Sequence, residues 1–402
     1  MINNQSKIEK LIIELCPNGV DFKELGELGD FYGGLTGKSK DDFSNGNAKF
    51  ITYMNIFSNI AVDTGVNIFV KMETNEKQNR IQFGDVLFTG SSETPNECGM
   101  SSVLTKKTDE PLYLNSFCFG FRFHDTNLFL PEFSKYLFRD EQMRKQIAKT
   151  ASGVTRFNVS KKRFAKILIP LPPLAVQKEI VKILNSFTEL EAELEAELEA
   201  REKQYKWYRN EMLTFGNNVE LRSIGEICQI NRGRVMSKDY LKINSGEYPV
   251  YSSQTANNGI FGLINTYDYD GEYLTWTTDG AYAGSIFYRN GKFSITNVCG
   301  LLKTKSDDVN MKFLSYILAT VSKKYVSFGM GNPKIMSNVM EKIKIPIPPI
   351  AEQKRIISVL NKFDALVNDI SIGLPAELKA RRQQYEYYRG KLLTFKEKEY
   401  AK

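Results

Sequence analysis

Histidine is almost missing: this chain of 402 residues holds one, His124. Imidazole-based acid–base catalysis and His-ligated metal sites are thereby disfavoured, because a lone imidazole has no second one to share a proton relay or a metal with. His124 reads as a structural or surface residue. Cysteine is scarce and scattered, at positions 16, 98, 118, 228 and 299, with no Cys-x-x-Cys pair. That spacing supports neither a disulfide framework nor a thiolate metal centre. No apolar run is long enough to cross a bilayer. The opening "MINNQSKIEKLIIEL" is polar and amphipathic rather than built like a secretion signal, so the cytoplasm is expected and a membrane is not. No nucleophile–base pair, carboxylate–lysine nuclease cluster or dinucleotide fingerprint stands out. The nearest approach to a phosphate loop is "YGGLTGKS" (32–39), where Tyr32 occupies the place of the first glycine and the residues that follow are poor helix formers. It reads instead as a flexible basic loop, with Lys38 and Lys40 available to phosphates.

What the chain does have is a second copy of itself. "IPLPPLAVQKEIVKILNSF" (169–187) returns as "IPIPPIAEQKRIISVLNKF" (345–363), and "EAREKQYKWYRNEMLTF" (199–215) returns as "KARRQQYEYYRGKLLTF" (379–395). "VDFKELGEL" (20–28) returns as "VELRSIGEI" (219–227). Repetition on this scale predicts two equivalent units behind a short N-terminal helix. Each unit begins with Gly-, Asn-, Thr- and aromatic-rich sequence, in which "GDVLFT" and "GEYLTWTT" read as strands between turns. Each ends in an extended "KILIPLPP" or "KIKIPIPP" that runs into a helix, with Pro173 and Pro349 where a first turn tolerates proline.

The divisions expected are an N-terminal helix within 1–19, a mixed α/β domain over 20–170, a helical spacer over 171–215, a second α/β domain over 219–346, a second spacer over 347–395 and a tail from 396 to 402. Along the first helix, Phe187, Leu190, Leu194, Leu198, Tyr205, Tyr208, Met212 and Phe215 recur every three or four residues, as a packing seam requires. Its middle is the near-perfect tetrad repeat "LEAELEAELEAR" (190–201). The second helix repeats the seam, including Tyr385 and Tyr388, but carries "ISIGLPAEL" in place of the tetrads, and Gly373 and Pro375 should break it there. A helix from 174 to 214 is roughly 60 Å long, and its apolar seam is best covered by the second helix lying antiparallel. The fold class expected is α+β: two mixed α/β domains separated by two long antiparallel helices that form a coiled coil, with a pseudo-two-fold internal repeat. Net charge is +7. The two helical segments cancel, which leaves the surplus in the α/β parts, where it suits a polyanion.

Two α/β units, each closed by Pro-Pro-x-x-x-Gln-Lys and by a helix ending in Gln-Tyr-x-x-Tyr-Arg, resemble the DNA-specificity subunit of type I restriction–modification enzymes. Pro172, Pro173, Gln177, Gln204, Tyr205, Tyr208 and Arg209 carry the resemblance in the first copy. Pro348, Pro349, Gln353, Gln384, Tyr385, Tyr388 and Arg389 carry it in the second. The resemblance implies two target-recognition domains that each read half of a split duplex-DNA target. It also implies helices that dock two methyltransferase subunits, and restriction–translocase subunits beyond them. S-adenosylmethionine and ATP with Mg would then belong to those partners, with no cofactor, metal or catalytic residue in this chain.

Candidate DNA readers are polar residues on Gly-punctuated loops: Lys38, Lys40, Asn55, Ser91, Ser92, Glu93, Thr94, Arg156 and Asn158 in the first domain. In the second they are Arg232, Arg234, Ser252, Ser253, Gln254, Thr278, Asp279, Asn332 and Lys334. Arginine suits guanine, and asparagine or glutamine suits adenine, in the major groove. Candidate spacer and partner-facing residues are Gln177, Leu190, Leu194, Leu198, Tyr205, Tyr208, Gln353, Tyr385 and Tyr388, although the tyrosines serve equally well as helix-pair core and the glutamines as ties to the Pro-Pro turn. A coiled-coil scaffold for protein partners, unconnected with restriction, is the competing reading.

Overall fold

The computed structural model describes residues 5–328, 331–369 and 371–399; the first four residues and the last three of the expected tail lie outside them. The chain divides into two compact units, residues 1–193 with 378–402 and residues 194–377. Compactness thus cuts the chain inside its helices, whereas sequence repetition cuts it at their ends.

Unit 1 opens with α1 (Lys7–Leu15), whose Ser6 and Glu9 form a reciprocal capping box. This satisfies backbone donors that a helix start otherwise leaves open. The chain then forms a four-stranded antiparallel sheet from β1 (Gly29–Gly33), β2 (Val86–Thr89), β3 (Ser101–Val103) and β4 (Cys118–Phe123), in the order β1-β4-β2-β3. Phe88, Phe119, Phe121 and Phe164 fill the core against it. A second small sheet contains a parallel pair, Ala48–Ile51 beside Leu112–Leu114. The extended "ILIPLPP" run is a strand, Leu168–Leu171, that pairs with Asp21–Glu24 before α2 (Leu174–Met212) begins.

Unit 2 builds the same plan from a different sequence. Its main sheet is β5 (Cys228–Arg232), β6 (Glu272–Thr277), β7 (Ile286–Asn290) and β8 (Cys299–Thr304), in the order β5-β8-β6-β7. Trp276, Leu274, Leu302 and Phe313 form its core. A parallel pair recurs between Tyr248–Tyr251 and Ser294–Ile295, and a closing strand, Lys344–Pro346, pairs with Leu221–Ser223. Then comes α3 (Ile350–Asn368) and, after a break, α4 (Leu374–Leu393). The break falls where Gly373 and Pro375 were expected to place it. A Cβ on Gly373 would lie 2.5 Å from the Ala365 carbonyl oxygen, so the chain cannot make this turn with a larger residue.

Within unit 1 the helices run antiparallel: Phe187 stacks on Tyr388 at 5.5 Å between ring centroids, and Glu191 pairs with Arg382 at 2.6 Å. Within unit 2, Tyr205 and Tyr208 stack on Phe363 at 6.2 and 5.2 Å. The four tyrosines of the repeated motif are therefore helix-pair residues. The seam differs from expectation at Leu190, which is 44% exposed. Glu191 takes its place beside α4, while Leu194 and Leu198 remain half-buried. The tail closes unit 1: the Val20 N–H donates to Lys396 O at 2.9 Å and the Lys398 N–H to Val20 O at 3.0 Å. No helix among the described residues is long and apolar enough to cross a membrane.

Candidate nucleic-acid interface

The loops that leave one end of each main sheet converge, and they do so through the same backbone bonds in both units. In unit 1, β2 ends at Thr89, and the next residue, Gly90, donates its N–H to Phe117 O at 2.8 Å and accepts from Val159 N–H at 2.9 Å. In unit 2, β6 ends at Thr277, and Thr278 donates to Val298 O at 3.3 Å and accepts from Ile335 N–H at 2.9 Å. One residue further on, Ser91 pairs with Asn158 and Asp279 pairs with Lys334. A third segment, the short helix Tyr53–Ser58 in unit 1 and a loop in unit 2, follows the parallel strand of the small sheet and brings Tyr53 to Ser91, or Ser253 to Asp279. The Tyr53 hydroxyl donates to Ser91 O at 2.8 Å, and the Ser253 hydroxyl donates to Asp279 Oδ1 at 2.8 Å and to Val298 O.

This platform gathers many of the residues singled out from sequence. In unit 1 it holds Ser91, Ser92, Glu93, Thr94, Arg156 and Asn158 around a cleft of about 510 Å³ whose lining includes Tyr53, Met54 and Phe117. Arg156 donates from Nε to Ser91 Oγ at 3.1 Å and lies 5.8 Å from the Phe117 ring centre. Glu97 accepts from the hydroxyls of Ser92 and Thr94 at 3.1 and 3.0 Å. In unit 2 the platform holds Ser253, Thr278, Asp279, Arg232 and Lys334. Arg232 donates from Nη2 to Asn297 O at 2.6 Å and to Thr278 Oγ1 at 3.3 Å. Ser252 accepts from Thr296 Oγ1 at 3.0 Å, and Gln254 donates to Ile260 O. Lys40, Asn158, Asn332 and Lys334 are exposed. Arg234 stands apart, bonded to Tyr240 and Asp268, and those bonds raise its pKa.

Several sequence expectations are corrected. Lys38 is not free for phosphates: its amine bonds Glu76 and Lys71 O, each at 2.5 Å, and its side chain is nearly buried. No helix follows the 32–39 loop directly, only a 3₁₀ turn at Asp41–Phe43. Asn55 is buried and clasps Asp63 through both backbone groups at 2.8 and 3.1 Å, so it shapes a loop instead of facing a ligand. Ser91 and Thr278 are buried too: Ser91 Oγ accepts from Arg156 Nε at 3.1 Å and the Thr278 hydroxyl donates to Val298 O at 2.8 Å, so neither side chain is presented as a reader. Gln177 and Gln353 are fully buried and cannot face a partner. Gln177 accepts from Leu130 N–H at 2.9 Å and donates to Leu128 O and Pro172 O at 3.0 and 2.8 Å. Gln353 accepts from Asn310 N–H at 2.8 Å and donates to Asp308 O and Pro348 O, both at 2.8 Å. Each ties the helix start to its own domain. His124 sits on the surface, 3.0 Å from Asp30.

Sequence reasoning missed Tyr53, Met54 and Phe117, which belong to the platform, and the arginines beneath it. Arg139 donates from Nη2 to Ile56 O at 2.7 Å and Phe57 O at 3.0 Å, and from Nε to Ser101 O at 2.6 Å. Arg144 donates from Nη2 to Asn96 O and Cys98 O at 2.8 and 2.5 Å. Burial pushes both guanidinium groups down to about 10, a range in which they stay cationic. In unit 2 the buried Arg289 lies 3.6 Å over Tyr251 and donates to Asn258 O at 2.9 Å. The register of Ser91 on Asn158 matched to Asp279 on Lys334 would have revealed the missed loop positions, but the recognition loops share too little sequence to be matched by eye.

Two copies of one loop-bearing α/β domain, each tied by the same buried glutamine to a long helix, define a duplicated recognition architecture. The chain belongs to the family of type I restriction modification DNA specificity domains, whose model matches residues 17–200 and 216–380. It is 43% identical over 233 residues to the Mycoplasma pneumoniae protein named type I specificity subunit S.MpnORF615P, a match covering 56% of this chain and 92% of that one. It is 42% identical over 204 residues to the type I restriction enzyme MpnII specificity subunit of the same organism, covering 48% of this chain and 62% of that one. Its fold resembles the type I restriction–modification S subunit of M. genitalium, with a TM-score of 0.54 at 14% identity over 93% of this chain and 96% of that one. It also resembles the HsdS subunit of Thermoanaerobacter tengcongensis, with a TM-score of 0.53 at 17% identity over 94% and 96%.

Proposed function

We propose that this type I specificity subunit reads a bipartite duplex-DNA target, one half-site per loop platform, and delivers partner subunits to it without performing chemistry itself. The observation that carries the reading is the platform built twice with equivalent backbone bonds and unlike side chains. Half-sites about one helical turn apart are what a twofold reader of duplex DNA meets. Exposed Lys40 and Lys334 suit phosphate contacts, which position a protein, while Arg156, Asn158, Asp279 and Asn332 are of the residue types that suit base edges. In this reading the helices dock two methyltransferase subunits, which hold S-adenosylmethionine, and restriction–translocase subunits supply ATP with Mg. The complex works in the cytoplasm. The test is co-expression with the cognate methyltransferase followed by methylome sequencing. A single split motif, absent when this chain is omitted, is expected. Methylation of the same motif by the methyltransferase alone, or methyl transfer by this chain alone, overturns the proposal.

A further inference from the structure

Three large apolar side chains stand exposed in unit 1, Met54 at 59% on the short helix Tyr53–Ser58 and Phe117 at 62% and Val154 at 92% on loops. Met54 and Phe117 line the cleft, and Val154 precedes another lining residue, Thr155. Apolar groups clustered in this way mark a surface that something covers. The Phe117 wall is held in place. Its carbonyl accepts from Gly90 N–H at 2.8 Å, its N–H donates to Asn115 Oδ1 at 2.9 Å, and Arg156 lies against its ring. Opposite, Tyr53 stacks on Phe57 at 5.9 Å with its hydroxyl tied to Ser91 O. The cleft also carries two carboxylates. Glu97 is occupied by the hydroxyls of Ser92 and Thr94, while Glu93 is exposed and faces solvent. Two carboxylates against the one guanidinium of Arg156 leave the lining net negative, and Arg156 is already bonded to Ser91 Oγ at 3.1 Å, so an anion is disfavoured and the occupant brings apolar surface and a hydrogen-bond donor. In the major groove of duplex DNA the one apolar group is the thymine C5-methyl, and the donors are the amino groups of adenine and cytosine.

Resting on the DNA-reading function above, we propose that Phe117 and Met54 are specificity-determining residues that hold the methyl group of a thymine in the half-site read by unit 1. Glu93 beside them accepts from a base amino group. The equivalent positions of unit 2 hold Val298, which accepts from Thr278 N–H as Phe117 does from Gly90, and Gln254, whose amide is tied to Ile260 O. That unit therefore lacks the same apolar wall.

The experiment uses the full chain with its methyltransferase on a duplex carrying the mapped motif, and replaces each thymine by uracil in turn, which removes only the methyl. Binding is expected to weaken roughly fourfold, the worth of one buried methyl, at a thymine of the unit 1 half-site. Phe117→Ala and Met54→Ala should bind the thymine and uracil duplexes alike, with the affinity of the wild type for uracil, while Phe117→Leu keeps a preference for thymine. Tight binding by the wild type with no uracil effect at any position of that half-site overturns the proposal and leaves the DNA-reading function standing. Equal weakening of thymine and uracil duplexes by Phe117→Ala, with the wild type's preference for thymine retained, also overturns it, because the ring would then act as a wedge between base steps. Failure to bind any methylated motif overturns both.

Discussion

Gln177 and Gln353 make the same three kinds of hydrogen bond in the two units, to a backbone N–H and carbonyl of the domain and to the Pro-Pro turn. Tyr136 and Tyr316 likewise each donate to an asparagine on the following helix, Asn185 or Asn361, at 2.7 Å. Tyr53 and Ser253, by contrast, share a place in the platform but not their side-chain chemistry, and so do Phe117 and Val298, or Asn158 and Lys334, whose backbone pairings are equivalent. The bonds that are the same are buried or part-buried and are made largely to backbone; the side chains that differ are half-buried or exposed. Buried polar groups are expensive to leave unpaired, which fixes the support, whereas an exposed loop side chain can change at a cost within about 0.5 kcal/mol. Such a molecule can change what it reads without changing how it folds.

The most drastic way to test that separation is to exchange residues 20–170 for the corresponding domain of a relative. One half of the methylated motif should be replaced outright, and the other half should persist unchanged. A change in both halves would mean that the platforms do not read separately. Next in size is the support itself. Gln177→Leu strands the Leu130 N–H and two carbonyls, and should destabilise unit 1 by about 2–4 kcal/mol, at the rate of roughly 1–3 kcal/mol for each buried group left unsatisfied and partly relaxed. Gln353→Leu should do the same to unit 2. Hydrogen exchange read separately over the two domains checks this, and equal loosening of both by either substitution would break the comparison.

The buried arginines should respond more weakly, and in one unit only. Arg139→Lys replaces a planar fork with a single ammonium group that cannot reach the carbonyls of Ser101, Ile56 and Phe57 together. A loss of about 1–3 kcal/mol is expected, with the short helix Tyr53–Ser58 exchanging faster and the unit 2 half-site read as before. Unchanged protection of that helix would show that Arg139 does not brace it.

The scaffold was legible because repetition reports on interiors. The Pro-Pro-x-x-x-Gln motif marked each helix start, and Gly373 with Pro375 marked the break between α3 and α4, since these residues act through local backbone rules. The site was legible only in outline. Arg156 and Asn158, both exposed, were visible as polar residues beside turns. Lys38, Asn55 and Thr278 looked identical to them by that criterion, yet their partners Glu76, Asp63 and Val298 lie 8 to 38 residues away. Whether a polar side chain is spent internally depends on such distant pairings. Phe117 was missed for the converse reason: an aromatic residue in a strand-rich sequence reads as core, and only the three-dimensional placement of its turn leaves it 62% exposed. Leu190 failed because a strict four-residue repeat drifts about 40° per tetrad around a helix, so three successive leucines cannot all stay on the seam.

That drift leads to the mildest perturbation, one tetrad added to "LEAELEAELEAR". The line between the two compact units, Glu193 to Leu194, falls inside these tetrads, and α2 runs through it unbroken. One more Glu-Ala-Glu-Leu lengthens α2 by about 6 Å and turns everything beyond it by about 40°. The contacts on either side, Phe187 with Tyr388 and Tyr208 with Phe363, lie within their own units and can be kept. Since a base pair rises about 3.4 Å, the non-specific gap in the methylated motif should grow by one or two base pairs while both half-site sequences stay the same. The smaller step is expected when α2 alone is lengthened. The larger is expected when α4 receives four residues as well. Methylome sequencing of the two variants reads both numbers, and retained methylation with an unchanged gap would mean that the tetrads are helical padding and set no distance.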